Sequence, residues 1–441
     1  MKLEDIQGLF AQAGCTRLYA KLLADNDNSK NQVYFGPDFK ALNLFPNQGI
    51  VAADSGQLGS IFKAKLVFGW LLDNGSVSSA PGAQLVLYPQ YPEVRFSGFL
   101  RGCRMPPSDL MRARQKGRVL FLGVADDRVL GFVVAPTSLV AGEFSIKFPQ
   151  PTIGVFNELP LPRILSEMAA QVALLTELKR IHEKGWIESK QLGNNGLLPC
   201  NAPQCGGLTL EAELGIPKNS KSEPDFHGWE IKQHNVSSLD RLESGVITLM
   251  TPEPTGGYYK DEGVAAFIHK FGYPDKRGRA NRFNFGGIHR VGIQQESTQL
   301  TINLLGYDIS KHRILDANGS VQLVNYEGVV AASWGFSGLL RHWTRKHEKA
   351  VYVPSECQKQ PERKYRYGSK VRLAMRTDFL LFLKAMSEGA VYYDPGIKVE
   401  GFKQGAVVKR RSQFRVASRN IPRLYETVEV ADLSSKSDKV D

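Results

Sequence analysis

The ten residues Glu223-Pro224-Asp225-Phe226-His227-Gly228-Trp229-Glu230-Ile231-Lys232 constrain this chain more than any other stretch. Pro224 and Gly228 are turn residues, and the alternation that follows predicts a strand from Gly228 to Lys232. Residues two apart on a strand share a face, so Glu230 and Lys232 stand together while the turn brings Asp225 beside them. Two carboxylates and an amine then converge. Carboxylate oxygens suit Mg²⁺, and a neighbouring lysine can position or deprotonate a water for attack on a phosphodiester. The same pattern also suits an exposed turn and an amphipathic strand whose Glu and Lys face solvent. Upstream, Leu208 to Ile216 reads as the start of an amphipathic helix, with Thr209 as its cap and either Glu211 or Glu213 turned toward the cluster.

These residues, together with Gly185-Trp186-Ile187-Glu188-Ser189-Lys190 and Gly193-Asn194-Asn195-Gly196, resemble the MvaI/BcnI family of restriction endonucleases, relatives of the mismatch-repair nicking enzyme MutH. The resemblance covers roughly residues 160 to 400 and is strongest around the strand. It implies an α/β (α+β) nuclease domain of the PD-(D/E)XK, MutH-like type. In that family a helix glutamate precedes the catalytic aspartate by fourteen positions, which selects Glu211 over Glu213. By the same resemblance Asp225, Glu230 and the carbonyl of Ile231 are metal ligands, and Lys232 is the water-activating amine. The implied activity is that of a type II site-specific deoxyribonuclease cutting double-stranded DNA with Mg²⁺, or Mn²⁺ as a substitute. The target would be a short GC-rich site such as CCWGG or CCSGG. A monomer and a cognate DNA methyltransferase in the same bacterial host are also implied.

Charge agrees with a polyanionic partner. The net charge is +12 and the sequence pI about 9.3, and each phosphate neutralised by Lys or Arg releases counterions. A length of 441 residues allows two or three domains. No apolar run approaches the ~20 residues of a membrane span, and Met1-Lys2-Leu3-Glu4-Asp5 lacks the regions of a signal peptide, so a cytoplasmic protein is expected. Cysteines at 15, 103, 200, 205 and 357 are odd in number and scattered, which suits a reducing compartment. Cys200 and Cys205 read as two free thiols in a loop. As half of a zinc site they lack a second ligand pair.

The chain divides near residue 155. Residues 1–155 hold short apolar runs between turn residues and predict a mostly β domain. Residues 156–430 mix helix and strand, beginning with a helical stripe of Ile164, Met168, Val172, Leu175 and Leu178 expected in the core. Residues 431–441 read as a disordered tail. Lys21 to Asn28, Gln32-Val33-Tyr34-Phe35 and Leu44-Phe45-Pro46 resemble the start of the effector DNA-binding domain of EcoRII, a β pseudobarrel that grips the major groove with two arms. That resemblance implies a type IIE enzyme. It puts Asn26, Asn28, Lys30, Asn31 and Gln32 in a base-reading arm and Arg95, Arg101 and Arg104 near phosphates. The arginines and lysine from Arg101 to Arg118 suit phosphates, or simply a solvated, charged stretch.

In the second half, Arg345, Lys346 and His347 fall where the family resemblance expects DNA. Arg279 and Arg282, in a glycine-containing basic loop, could follow a backbone. A merely solubilising role suits these runs as well. Two other functions compete: a nuclease acting on modified or hemimethylated DNA, and a DNA-binding regulator that no longer cuts. The intact set of Glu211, Asp225, Glu230 and Lys232 argues against the second.

Overall fold

The computed structural model describes residues 1–25, 32–54, 56, 59–91, 93–125, 127–162, 167–193, 195–217, 225–344, 347–401 and 407–434. Asn26, Asn28, Lys30, Asn31, Arg345 and Lys346 lie outside them, as do Ile164 and Pro224. The chain forms two units, one of Met1–Ala169 with Leu315–Ala317, the other of Ala170–Ile314 with Asn318–Asp441. Residues 156–169 join the first because Asn157–Leu159 extends its sheet, pairing antiparallel with Arg17–Leu23.

The first unit is layered. A six-stranded sheet runs in the order Asn157–Leu159, Arg17–Leu23, Arg118–Ala125, Arg128–Val134, Val67–Leu71, Val77–Ser79. A five-stranded sheet runs Gln32–Gly36, Glu93–Ser97, Gln84–Tyr88, Ser60–Lys65, Ile50–Asp54. Neither closes on itself among the described residues, so the expected pseudobarrel is seen as two open sheets. Aromatic side chains from both sheets meet, with ring centroids 5.0 Å apart for Phe68 and Phe96. On the far side of the six-stranded sheet, Leu3, Ile6 and Phe10 of one helix and Val140, Ala141 and Phe144 of another cover Leu18, Val119 and Phe121. Covered on both faces, Arg118–Ala125 is buried at every position, where half-covered strands alternate.

The second unit is built on a sheet of Ile187–Glu188, Lys364–Tyr367, Lys349–Gln358, Lys370–Thr377 and Tyr425–Asp432. The predicted strand is there, shifted to Glu230–Asn235, and it lies parallel to Lys349–Gln358 at the sheet's edge. One face of the sheet presents Ile231, Val351, Val353, Val371 and Leu373 to Leu174, Leu178 and Ile181 of the Glu167–Glu183 helix and to Leu210. Burying each such side chain contributes about 1.5 to 3 kcal/mol. The expected helical stripe is therefore rotated: Leu178 is in the core as read, but Met168 and Val172 are exposed, and Leu174 and Ile181 take the inner positions. A helix at 3.6 residues per turn offers two overlapping stripes here, and only the sheet selects one.

Candidate active site

The geometry starts from a tight turn. Phe226 and Trp229 exchange backbone hydrogen bonds of 3.0 and 2.8 Å, and both residues between them have positive φ, 45° at His227 and 85° at Gly228. That is the type I′ hairpin turn, which a glycine in its second position accommodates without a Cβ clash. The turn folds Asp225 back along the strand, where its Oδ2 accepts the Ile231 amide hydrogen at 3.0 Å. Within a strand, a residue's N–H and C=O point to the same side. The Ile231 carbonyl therefore faces the strand's outer edge together with Asp225, away from the Lys349–Gln358 strand.

Glu230 and Lys232 share a face of that strand, as their spacing predicts. Lys232 Nζ lies 2.7 Å from Glu230 Oε1, and the Glu230 side chain is 2% exposed. Past Lys232, Gln233 turns to the opposite face, donating to Ser355 Oγ at 2.6 Å and to Asn235 Oδ1 at 3.0 Å. A Cβ on Gly206 would meet the Gln233 side chain at 2.7 Å, so the Cys205–Glu213 helix sits directly on this side of the strand.

That helix carries both glutamates, and the structure separates them. Glu213 is a hub of ion pairs: Lys190 Nζ at 2.5 Å, Lys184 Nζ at 2.6 Å and Arg180 Nη1 at 3.7 Å. Burial raises its carboxyl, but the hydrogen bonds from Lys184 and Lys190 outweigh this and hold it below the ordinary glutamate value. Glu211 is half-buried two residues earlier. Thr209, expected as the helix cap, lies inside the helix instead, fully buried, bonded at 3.1 Å to both the N–H and the C=O of Lys190. Tyr367 Oη donates to the Gly206 carbonyl at 2.8 Å. The partners of Thr209 and Gly206 carry no sequence pattern at helix or strand spacing, which is why sequence reading missed these supports.

Cys200 and Cys205 form a disulfide, against the expectation of free thiols. The loop between them brings their Cα atoms to 5.8 Å, within the range a disulfide spans, and joins the Gly196–Pro199 strand to the start of the helix. Cys15, Cys103 and Cys357 are free.

Several expected DNA-contact residues have other partners. Arg95 forms a two-point pair with Glu93, at 2.9 and 3.2 Å. Arg118 is fully buried, its guanidinium donating to the carbonyls of Gln115, Leu110 and Ala24. Arg282 reaches Asp275 and Glu400, each at 3.4 Å. His347 is 1% exposed and stacks on Trp343 with centroids 4.3 Å apart, so a base edge cannot reach it in this arrangement. His289 is also buried, between the Gly287 carbonyl at 2.9 Å and Thr298 Oγ1 at 2.8 Å. By contrast Arg101, Arg104 and Arg279 are exposed, and Gln32 is half-buried near Tyr88 Oη.

The residues fit a hard divalent cation. Asp225 and Ile231 put oxygen donors at one strand edge, with Glu230 on the adjoining residue. Among the described residues no group of three or more His, Cys, Asp or Glu is placed to hold a metal ion.

The family model of the MvaI/BcnI restriction endonuclease family matches residues 175–425, more than half of the chain. The chain belongs to the MvaI/BcnI restriction endonuclease family. The matched span contains the edge strand, the Cys205–Glu213 helix and the sheet beneath them except for its Tyr425–Asp432 strand. Among solved structures the chain is similar to restriction endonuclease MvaI bound to a cognate DNA substrate, with 19% identity, 60% of this chain and 98% of that chain covered, and a TM-score of 0.44. It is also similar to MvaI in the absence of DNA, with 18% identity, 61% and 99% coverage, and a TM-score of 0.34. No curated protein matches this chain. Members of the MvaI/BcnI family are restriction endonucleases, which use divalent metal cations, and no helix among the described residues is long and apolar enough to cross a membrane.

Proposed function

We propose that this MvaI/BcnI-family chain is a Mg²⁺-dependent, sequence-specific endonuclease of double-stranded DNA. The observation that carries the reading is the edge strand, where the Asp225 carboxylate is held on the Ile231 amide and the Glu230–Lys232 pair lies on the adjoining residues. Asp225, Glu230 and the Ile231 carbonyl would hold the ion, with Mn²⁺ as a substitute. When bound, it supplies Lewis acidity next to the scissile phosphate. The side chains divide the remaining work. Lys232, held by Glu230, orients the attacking water, and Asp225 is kept in place by its hydrogen bond to the Ile231 amide. Glu211 would approach from the helix that packs on the opposite face of this strand.

The first unit would act as an EcoRII-like effector domain, making the enzyme type IIE, with the Asn26–Gln32 arm reading bases and Arg101 and Arg104 binding phosphates. Arg279, Arg345 and Lys346 would contact DNA near the cut. Arg95, Arg282 and His347 leave the contact set because Glu93, Asp275 with Glu400, and Trp343 engage them. The target would be a short GC-rich site such as CCWGG or CCSGG, protected in a bacterial host by a methyltransferase. A monomer with one such site would cut a duplex by two successive nicks.

Incubating the full-length protein with modified and unmodified supercoiled plasmid, with Mg²⁺, Mn²⁺, Ca²⁺ or no divalent ion, tests this. Discrete fragments in Mg²⁺ or Mn²⁺ and none without a metal are expected, with nicked circles preceding linear product. Failure to cut any plasmid in either metal overturns the proposal.

A further inference from the structure

At Gly206 the Cys205–Glu213 helix comes against the edge strand with no room for a side chain. A Cβ there would lie 2.7, 2.8 and 2.9 Å from Oε1, Cδ and Nε2 of Gln233, the residue that follows Lys232. The neighbouring glycine differs, since a Cβ on Gly207 would have nothing within 4 Å. Glycine disfavours a helix relative to alanine, so two in the first turn weaken it, and of the two only Gly206 is required by packing. The Gln233 amide is not free to swing aside. Its Nε2 donates to Ser355 Oγ at 2.6 Å and to Asn235 Oδ1 at 3.0 Å, and Ser355 is fully buried in the adjoining Lys349–Gln358 strand. Tyr367 Oη, also buried, donates to the Gly206 carbonyl at 2.8 Å. A hydrogen bond from the sheet thus draws Gly206 in, and the Gln233 amide stops it.

This contact joins the two parts of the candidate site. Gln233 belongs to the strand that carries Glu230 and Lys232, and Gly206 to the helix that carries Glu211. Non-bonded carbon atoms settle about 3.5 to 4.0 Å apart, so a methyl group at position 206 would move the helix off the strand by roughly 1 Å. A misplacement of that size at a catalytic group can cost on the order of 100-fold in rate. We propose that Gln233 is a positioning residue: its pinned amide is the stop against which the helix rests at Gly206, and the contact sets the reach of Glu211 toward Asp225, Glu230 and Lys232. Its effect on hydrolysis passes through Glu211. The inference rests on the DNA-cleaving function proposed above and on the part Glu211 plays in it.

The test measures single-turnover cleavage of a plasmid fragment in Mg²⁺ and duplex binding in Ca²⁺, with the full-length protein and well below the melting temperature of every variant. Gly206→Ala should cut about tenfold or more slowly while its duplex affinity in Ca²⁺ stays within about twofold, because the strand edge itself is left in place. Gly207→Ala, which adds the same methyl group without a contact, should cut at the wild-type rate and melt higher. Removing the stop should remove the penalty: Gln233→Ala should cut about threefold more slowly, and Gly206→Ala should cost nothing further in that background, as coupled residues require. An equal loss from Gly206→Ala in both backgrounds overturns the proposal, since a weakened helix would act alike in each. So does a wild-type rate for Gly206→Ala, or a loss of duplex affinity of about tenfold, which would assign the helix to DNA contact. Should Gly206→Ala alone not fold, a Gly206→Ala/Gln233→Ala variant that cuts more slowly than Gln233→Ala overturns the stop as well. Two other results bear on the reading beneath it: a wild type that cuts no duplex removes the function, and Glu211→Ala cutting at the wild-type rate removes Glu211 from it.

Discussion

The Asp225 carboxylate is hydrogen-bonded to the amide of Ile231, the residue between Glu230 and Lys232. A positioning contact of this kind separates placement from chemistry. Asp225→Ala and Glu230→Ala should abolish cleavage while leaving DNA binding in Ca²⁺ largely intact, and Lys232→Ala should do the same without loss of metal affinity. Cleavage assays beside gel shifts in Ca²⁺ read the two separately. Wild-type cutting by either carboxylate variant would remove the assignment.

Glu211 and Glu213 should fail differently. Glu211→Ala is expected to cost rate with an unchanged melting temperature. Glu213→Ala leaves Lys184 and Lys190 without their shared carboxylate, and because both lysines are partly exposed the loss should be about 1 to 3 kcal/mol of stability. Its carboxyl is held low in the folded state, so this contribution is present above the ordinary glutamate pKa and is lost as pH falls through the folded value. Thermal melts of both variants at neutral and acid pH decide it.

What was legible in the sequence was local. Glu230 and Lys232 are two apart on a strand, and a glycine marks the turn that returns Asp225; such periods need no knowledge of the rest of the fold. Even the fate of Arg95 was visible in principle, since Glu93 shares its strand face. Partners that come from afar were not. Arg282 meets Glu400, Glu213 meets Lys184, and Arg118 binds three backbone carbonyls, groups that every residue possesses and no composition reveals.

The buried imidazole of His289 sets an acid limit. A carbonyl can only accept, so Nδ1 donates to Gly287 and the neutral ring accepts from Thr298 through Nε2. Burial pushes its pKa down to about 4, below the ordinary value of 6.5. Between these values the unfolded chain binds the proton and the folded one does not, so stability falls as pH drops from 6.5 toward 4. The loss is on the order of 3 kcal/mol once the ring is charged. His289→Gln should flatten the pH dependence of the denaturation midpoint in that window; an unchanged slope would assign the acid sensitivity elsewhere.

Arg101 and Arg104 are exposed where Arg95 and Arg118 are engaged. Replacing either exposed arginine by alanine should reduce the salt dependence of DNA binding by about one unit of slope for every sequence, and Asn28→Ala or Asn31→Ala should cost roughly 1 to 3 kcal/mol on the specific site alone. Arg118→Ala should instead lower the melting temperature. Equal salt slopes for wild type and both exposed-arginine variants would take phosphate binding away from this segment.

Glu230 pairs in the sheet with Ala350, 120 residues later in the chain. Closing so long a loop makes this pairing slow and late relative to local contacts. A ribosome must therefore release the whole of the Lys349–Gln358 strand before Glu230 and Lys232 have a surface to lie on, and a chain still being synthesised carries its acidic motif unassembled. The order of the chain thus leaves the candidate site unassembled until its partner strand has been made.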